Sequence, residues 1–172
     1  TGDLLDPGEN GDTFMINMNM GGCRNGLVEV TADGQAKAEL AESLEPSADA
    51  KTWVVKLRKG IEFHSGKTFD ADDAIASIEH HRGPDATSDA KSVAESLGSI
   101  RKDGPNTLIF DLESGNADFP YLLSDYHILM GSTDKSGHID WESGDGTGSY
   151  VVKNFEPGVR AHLVRNPNYF QE

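Results

Sequence analysis

The chain lacks the features that mark disulfide-bonded, membrane-spanning and nucleic-acid-binding proteins. Cys23 is the single cysteine among 172 residues, so no internal disulfide can form. No apolar run reaches the roughly 20 residues that a membrane-spanning helix requires. The 15 basic residues against 29 acidic ones give a net charge of −14. This balance excludes the basic footprint of a nucleic-acid-binding surface and disfavours binding to an anionic membrane.

Patterns of metal, nucleotide and catalytic sites are missing as well. His80 and His81 are adjacent, so on a helix they point about 100° apart and cannot chelate one metal together. The turn-rich start of the chain has Asn17 where a calcium loop needs its twelfth-position carboxylate. The glycine-rich stretch 144–148 precedes a predicted strand and lacks the lysine of a phosphate loop. We therefore expect no metal, no cofactor, no catalytic residue and no enzyme activity.

The clearest secondary-structure pattern lies between residues 40 and 77. Alternation over 52–58 puts Trp53, Val55 and Leu57 on one face, which predicts a half-buried strand, and residues 44–46 are its expected partner. Asp70 is a predicted helix N-cap, and Asp73 stands three residues later, where a capping box closes. The helix is expected to end before the Gly-Pro pair at 83–84.

Shorter signals predict the remaining elements. Helices are expected over 14–25, 88–97 and 118–123, and strands over 27–31, 100–103, 107–112, 126–130, 151–155 and 161–165. These strands pair locally and the helices flank them, which is typical of the α+β class. We expect a small mixed β-sheet domain with flanking helices. The length allows one core of useful size and a second small lobe.

Several motifs occur in an order that is typical of one protein family. They are LAESLEPSADAKTW at 40–53, VKLRKGIEFHSGKTFDADD at 55–73, LDP at 5–7, GTGSY at 146–150, FEPG at 155–158 and RNPNY at 165–169. Through them the chain resembles the bacterial extracellular solute-binding proteins of the peptide/nickel class, which are receptors of ATP-driven (ABC) importers. It departs from the family pattern at Leu44, where tryptophan is usual, and at Ser149, where proline is frequent.

The resemblance implies a domain organisation. Residues 1–39 would be the N-terminal segment of the large lobe, 40–130 a complete inserted small α+β domain, and 131–172 a loop and hairpin returning to the large lobe. The remaining C-terminal lobe would lie outside this chain, and so would a signal peptide. Family members capture a solute in the periplasm between two lobes that close by hinge motion, and they deliver it to an inner-membrane permease without inserting into the membrane.

The resemblance also implies which residues lie near the ligand. They are Asn10, Gly11, Asp12, Thr13 and Phe14 in the first segment, and Asp125, Tyr126 and His127 in the second. From the residues alone, the first segment is equally an ordinary surface loop. Tyr126 and His127 are equally core residues whose polar tips are hydrogen-bonded. Ligands of the class include peptides, nickel complexes, opines and sugars, and the sequence does not choose among them.

Two alternatives from other classes remain at this point. The first is a stand-alone interaction or regulatory module of the same domain type, without a transport role. The second is a secreted hydrolase. A solute-binding protein predicts exposed apolar surface where the remaining lobe docks, whereas a module that functions alone should lack such a surface.

Overall fold

The fold consists of antiparallel strands and short helices. The computed structural model describes residues 3–9 and 12–171. The strands are β1 (Val28–Val30), β2 (Ala36–Ala38), β3 (Ala41–Pro46), β4 (Thr52–Leu57), β5 (Ser99–Lys102), β6 (Thr107–Asp111), β7 (Tyr150–Glu156) and β8 (Arg160–Arg165). The helices are α1 (Thr13–Asn19), α2 (Ala71–Glu79), α3 (Lys91–Ser96) and α4 (Phe119–Leu122), with 3-10 turns at Pro7–Glu9 and Trp141–Ser143. The predicted α+β class is confirmed, although all strand ladders in the described residues are antiparallel rather than mixed.

A four-stranded sheet of order β3-β4-β6-β5 is the centre of the fold. Trp53 lies opposite Phe110 and Val55 opposite Leu108, so both strands turn the same apolar face inward. The predicted pairing of residues 44–46 with the alternating strand is confirmed, because Leu44 lies opposite Val55. The inward residues are buried since period-two alternation places them on a single side of the pleat.

Helices α2 and α4 cover this apolar face. Phe119 stacks on Trp53 with ring centroids 5.3 Å apart and meets the edge of Phe110 at 5.0 Å. Ala74 and Ile78 of α2 are fully buried in the same core. Burial of each large apolar side chain contributes about 1.5–3 kcal/mol, so this cluster is the main source of stability in the sheet region.

The start of α2 is capped as the sequence predicts. Asp70 accepts hydrogen bonds from the backbone N–H groups of Asp72 and Asp73, and the Asp73 carboxylate accepts one from the N–H of Asp70. These reciprocal bonds form a capping box. The helix ends at Glu79, with His80 as its C-cap.

A second hydrophobic cluster, called here the terminal cluster, joins the two ends of the chain. It consists of Leu5, Met15, Met18 and Cys23, packed against Val152, Phe155, Ala161 and Leu163. The fully buried Arg24 guanidinium lies beside it and donates to the backbone oxygens of Leu5 (2.6 Å) and Trp141 (2.7 Å). The N-terminal segment is thereby fixed against the β7–β8 hairpin and the turn at Trp141.

Some predicted elements differ from those observed. The helix expected over 14–25 ends at Asn19, because Met20 is extended and Gly21 adopts a left-handed φ of 74°. The strand expected over 126–130 does not form, since Ile128 N–H bonds back to the Asp125 carbonyl instead of a neighbouring strand. In the described part of the chain, no helix has the length and apolar composition to cross a membrane.

Candidate functional site

A cavity of about 270 Å³ opens where the end of α1, strand β1 and the turn after α4 meet. Its walls are formed by Met20, Gly21, Gly26, Val28, Glu29, Val30, Glu39, Ser124, Asp125, Tyr126 and Leu129. Three of these side chains are large, apolar and unusually accessible: Met20 (46% exposed), Val30 (50%) and Tyr126 (39%). Apolar area around a concave site with a few polar groups is the usual composition of a small-ligand pocket.

The end of α1 brings Met20 to the rim of this cavity. Met20 is the C-cap of the helix, and its N–H donates to the Ile16 carbonyl at 2.8 Å. Gly21 then reverses the chain, and its N–H donates to the Arg24 carbonyl at 2.8 Å. Met20 is left on the surface because the chain turns away from the core directly behind it.

Glu39 is a buried carboxylate in the cavity wall. Its Oε1 accepts from Asn25 Nδ2 at 2.6 Å, and its Oε2 accepts from the Gly26 N–H at 3.0 Å. Burial, assisted by the charge of Glu29, raises the pKa of Glu39 to about 7, although the hydrogen bonds from Asn25 and Gly26 and the charge of Lys37 oppose the shift. Near neutral pH this carboxyl therefore exchanges between its neutral and ionised forms.

Asn25 links Glu39 to the C-terminal part of the chain. Its Oδ1 accepts from Thr147 Oγ1 at 2.8 Å, and its Nδ2 also lies 3.3 Å from the Tyr169 hydroxyl. Both the oxygen and the nitrogen of this side-chain amide are thus hydrogen-bonded. The network fixes the rotamer of Asn25, and so it fixes the direction from which Glu39 receives its hydrogen bond.

Asp125 and His127 stabilise the turn on the opposite wall. Asp125 Oδ1 accepts from the backbone N–H of His127 at 3.0 Å and from its Nδ1 at 2.7 Å. Burial raises the pKa of Asp125, but the hydrogen bonds and charge of His127 outweigh it and leave the pKa below its ordinary value. Asp125 is therefore ionised at neutral pH. The Tyr126 ring lies over the His127 ring, with centroids 3.9 Å apart.

The residues that sequence analysis places near the ligand fall into two groups. Asp125 and Tyr126 border the cavity, and His127 is buried beneath them. Asp12, Thr13 and Phe14 do not border it. They lie at the opposite end of α1 from Met20, about 9–12 Å along the helix axis.

The described residues of the N-terminal group differ in their hydrogen bonds and exposure. Asp12 caps α1 by accepting from the Met15 N–H at 3.0 Å, and the Thr13 carbonyl accepts from Asn17 Nδ2 at 2.9 Å. Phe14 is 60% exposed. Asn10 and Gly11 lie outside the described residues. Of the described residues, the structure therefore does not bring Asp12, Thr13 and Phe14 together with the 125–127 turn at one cavity.

Sequence reasoning missed Glu39, Asn25 and the rim position of Met20. No local pattern marks Glu39, because a single acidic residue before an apolar pair has the signature of a solvent-facing side chain. Its burial depends on Asn25 and Gly26, which are distant in sequence. Only the packed structure shows that this carboxylate lines a cavity.

Three of the histidines each contact a different polar partner. His80 Nε2 lies 2.9 Å from Asp6 Oδ1, His81 Nδ1 lies 2.7 Å from Ser88 Oγ, and His64 Nε2 donates to the Gly148 carbonyl at 2.9 Å. Across residues 3–9 and 12–171, no group of three or more His, Cys, Asp and Glu side chains is arranged to hold a metal ion.

Comparison with known proteins assigns the family. The family described as "Bacterial extracellular solute-binding proteins, family 5 Middle" matches residues 35–172. The chain belongs to family 5 of the bacterial extracellular solute-binding proteins. This assignment confirms the resemblance carried by the motifs at 40–53, 55–73 and 146–169.

Two curated relatives within the family are peptide-binding proteins by name. The oligopeptide-binding protein AppA of Bacillus subtilis (strain 168) is 27% identical over 144 residues, which is 78% of this chain and 26% of AppA. The probable di/tripeptide-binding protein 5 of Pseudomonas aeruginosa (strain UCBPP-PA14) is 26% identical over 173 aligned positions, covering 85% of this chain and 33% of that protein. The family 5 chain described here thus spans a third or less of the length of these relatives.

Solved structures of other binding proteins share the fold. The periplasmic binding protein AgaA from A. tumefaciens R10, in complex with agropinic acid, superimposes with a TM-score of 0.86 at 22% identity, over 100% of this chain and 35% of AgaA. A nickel ABC transporter protein from Bacillus halodurans gives a TM-score of 0.80 at 27% identity, over 99% of this chain and 34% of that one. These neighbours differ in the ligands that their names mention.

Proposed function

We propose that this chain is part of the substrate-binding component of an ABC importer. The component captures a peptide or a similar small solute in the periplasm and delivers it to an inner-membrane permease. One observation carries the proposal: Met20, Val30 and Tyr126, three of the seven large apolar side chains exposed in the described residues, border a single cavity that also contains a buried carboxylate. The binding component breaks no covalent bond of the solute that it captures.

The proposed ligand contacts lie on the cavity walls. Asp125 and Tyr126 offer an ionised carboxylate and an aromatic face, and buried His127 positions both through its bonds to Asp125. Residues 10–14 are a second proposed contact region, separated from the first by the length of α1. A ligand that touched both would have to extend across the helix, as a peptide of several residues can.

The terminal cluster supports the proposed domain organisation. Residues 1–39 and 131–172 belong to the large lobe, and the terminal cluster supports this division because it joins Leu5 and Met15 to Val152 and Leu163. Residues 40–130 form the inserted domain around the four-stranded sheet. A further lobe, outside this chain, would complete the ligand site by closing over the cavity.

The length of the relatives supports a second lobe. They are about three to four times as long as the part that this chain matches. A remaining lobe that docks on the cavity rim would cover Met20, Val30 and Tyr126. The stand-alone module gives no reason for leaving these side chains exposed, and the named relatives are binding proteins rather than hydrolases.

Ligand-induced stabilisation tests the proposal. The thermal unfolding midpoint is measured for this chain and for the full natural protein against di- to pentapeptides, nickel chelates, opines and oligosaccharides. A ligand at 100 times its Kd stabilises the bound form by about 2.7 kcal/mol. A shift confined to the full protein supports a two-lobed receptor and identifies its ligand class. A shift in this chain alone contradicts the two-lobed site, and no shift in either protein contradicts solute capture.

A further inference from the structure

The cavity wall contains a buried carboxylate that has no cationic side chain beside it. We infer that Glu39 is a specificity-determining residue, which selects ligands that place an organic ammonium or guanidinium group in this cavity. The inference rests on the proposed ligand-binding role of the cavity and adds the chemical class of the group bound there.

The hydrogen bonds of Glu39 leave its charge uncompensated. Its side chain accepts one bond from Asn25 and one from the Gly26 N–H, and both donors are neutral. A carboxylate has about four acceptor positions, so each oxygen can accept another donor. Arg58 is close in the fold, but its Nε donates to the backbone carbonyl of Glu39 and not to the carboxylate.

The other charged groups around Glu39 do not supply the missing cation. Glu29 on β1 and Asp125 in the turn after α4 are acidic wall residues. Lys37 on β2 pairs with Glu29 at 2.9 Å on the surface, and it lowers the pKa of Glu39 only through its charge, without a hydrogen bond to that carboxylate. The Tyr169 hydroxyl on the C-terminal side is uncharged at neutral pH because burial raises its pKa. No lysine or arginine is among the described cavity-lining residues. An anionic ligand group would therefore meet only negative charge.

The remaining walls define the body of the ligand group. Met20, Val30, Tyr126 and Leu129 surround the acidic positions with apolar and aromatic surface. The volume of about 270 Å³ lies below the range of about 300–1,000 Å³ that is usual for whole drug-sized ligands. The cavity thus fits a cation carried on a short apolar stem, one group of a larger ligand. A tyrosine face also attracts such a cation.

Proton release follows from this arrangement. With a pKa of about 7, Glu39 is partly protonated at neutral pH. A bound cation favours the ionised carboxylate, so the proton leaves to solvent when the ligand enters. Affinity for a cationic ligand should therefore rise as the pH increases from 6 to 8, whereas affinity for a neutral isostere should change little.

Calorimetry with matched dipeptides on the full natural protein tests the inference. The probes are Lys-Leu, norleucyl-leucine, which lacks the side-chain ammonium, and the N-acetyl form of each, which lacks the amino-terminal cation. A charge-assisted hydrogen bond to Glu39 should favour the probe that carries the recognised cation by about tenfold or more at pH 8. The acetylated pair shows whether that cation is the side chain or the amino terminus.

Two variants identify the responsible carboxylate. Glu39→Gln should abolish both the cation preference and its pH dependence, while Glu45→Gln, a change of the same size at an exposed position of β3 outside the cavity, should retain them. Unfolding midpoints measured in parallel show whether each variant is folded. If peptides bind but neither cation alters the affinity in a Glu39-dependent way, the inference is wrong and the proposed function stands.

A second measurement does not depend on peptide binding. The carboxyl carbon of Glu39 is followed by ¹³C NMR, assigned by its loss in Glu39→Gln, with n-butylammonium chloride or sodium chloride at equal ionic strength. We expect a lower titration midpoint with n-butylammonium. An unchanged midpoint overturns the inference, whereas a lowered midpoint without any peptide binding supports the cation site and contradicts only the peptide form of the proposed function.

Discussion

The carboxylate of Asp73 accepts two hydrogen bonds from Thr133, which is 60 residues away in sequence. Its Oδ1 accepts from the Thr133 N–H at 2.9 Å and from the Thr133 hydroxyl at 2.7 Å. The same carboxylate closes the capping box of α2 and pairs with Lys67. One buried side chain therefore fixes both the start of α2 and the loop at Thr133.

Replacing Asp73 should be strongly destabilising. Asp73→Ala leaves the buried Thr133 N–H without its acceptor, which costs about 1–3 kcal/mol, and it also removes the capping-box bond to the Asp70 N–H. The Lys67 ammonium is partly exposed, so water can replace its lost partner. Urea unfolding measures the loss. Asp72→Ala is the matched control, because Asp72 pairs with Lys102 at the surface and should contribute at most about 1 kcal/mol. Equal effects of the two substitutions would contradict the role assigned to Asp73.

The N-cap at Asp70 should contribute a smaller amount. Asp70→Ala removes the acceptor of the Asp72 and Asp73 N–H groups and should lower the free energy of unfolding by about 1 kcal/mol. Asp70→Ser retains a capping oxygen and should preserve most of the stability. An unchanged midpoint for Asp70→Ala would mean that the cap has no energetic role.

Glu39 should make the protein less stable as the pH rises. Its pKa of about 7 in the folded state lies above the ordinary value of 4.5, so the folded state holds the proton more tightly between these values. The stabilising effect is complete below pH 4.5 and is lost as the pH passes through 7. At about 1.4 kcal/mol per pKa unit, the loss is at most about 3 kcal/mol.

Glu39→Gln should remove this loss, since glutamine does not titrate. We expect the free energy of unfolding of the variant, relative to the natural protein, to increase from pH 4.5 to pH 7. Denaturant unfolding at several pH values measures the difference. Glu29→Gln, at a more accessible position, should produce no comparable trend. A constant difference between Glu39→Gln and the natural protein across this range would be inconsistent with a raised pKa.

His81 should act in the opposite direction over an overlapping range. Burial lowers its pKa to about 4 from 6.5, assisted by the nearby His80 and His127, although Asp6 and Asp125 partly oppose the shift. The unfolded state therefore binds the proton first, and stability that is present above pH 6.5 is lost as the pH falls through 4. The pKa values of Asp6 and Asp125 are lowered in the folded state. These two carboxylates therefore add to the loss of stability in acid only when the pH falls below the ordinary pKa of an aspartate.

His81→Gln separates this effect from that of Glu39. Glutamine can still bond Ser88, which lies 2.7 Å from His81 Nδ1, but it does not gain a proton. The variant should lose less stability than the natural protein between pH 6.5 and 4. Unfolding curves of His81→Gln, Glu39→Gln and the double variant measure both slopes. Parallel curves for His81→Gln and the natural protein would contradict the assignment to His81.

Sequence patterns predicted the elements whose causes are local. Strand β4 follows from the alternation of Trp53, Val55 and Leu57, and α2 follows from the cap at Asp70. The expected strand over 126–130 failed because its apolar residues are buried by packing and not by strand pairing. The Met130 N–H donates a hydrogen bond to the backbone carbonyl of Asn25, but in the described residues no further strand pairing follows this bond.

The candidate site was predictable only in part. The family resemblance pointed to Asp125 and Tyr126, which border the cavity, and also to residues 12–14, which do not. Glu39 could not be found in this way, because the properties that distinguish it depend on Asn25, Gly26 and Tyr169. Those contacts join segments whose spacing in sequence carries no periodic signal.

The terminal cluster has a consequence for the order of folding during synthesis. Strands of the four-stranded sheet lie between Ala41 and Asp111, so that sheet can form while the C-terminal hairpin is still being made. Leu5 and Met15 can pack only after Val152 and Leu163, their partners in the C-terminal hairpin, have been synthesised. Contacts of such long sequence separation form slowly. Leu5 and Met15 are thus synthesised before the strands of the four-stranded sheet but meet their native neighbours after them, and until then their apolar side chains stay exposed.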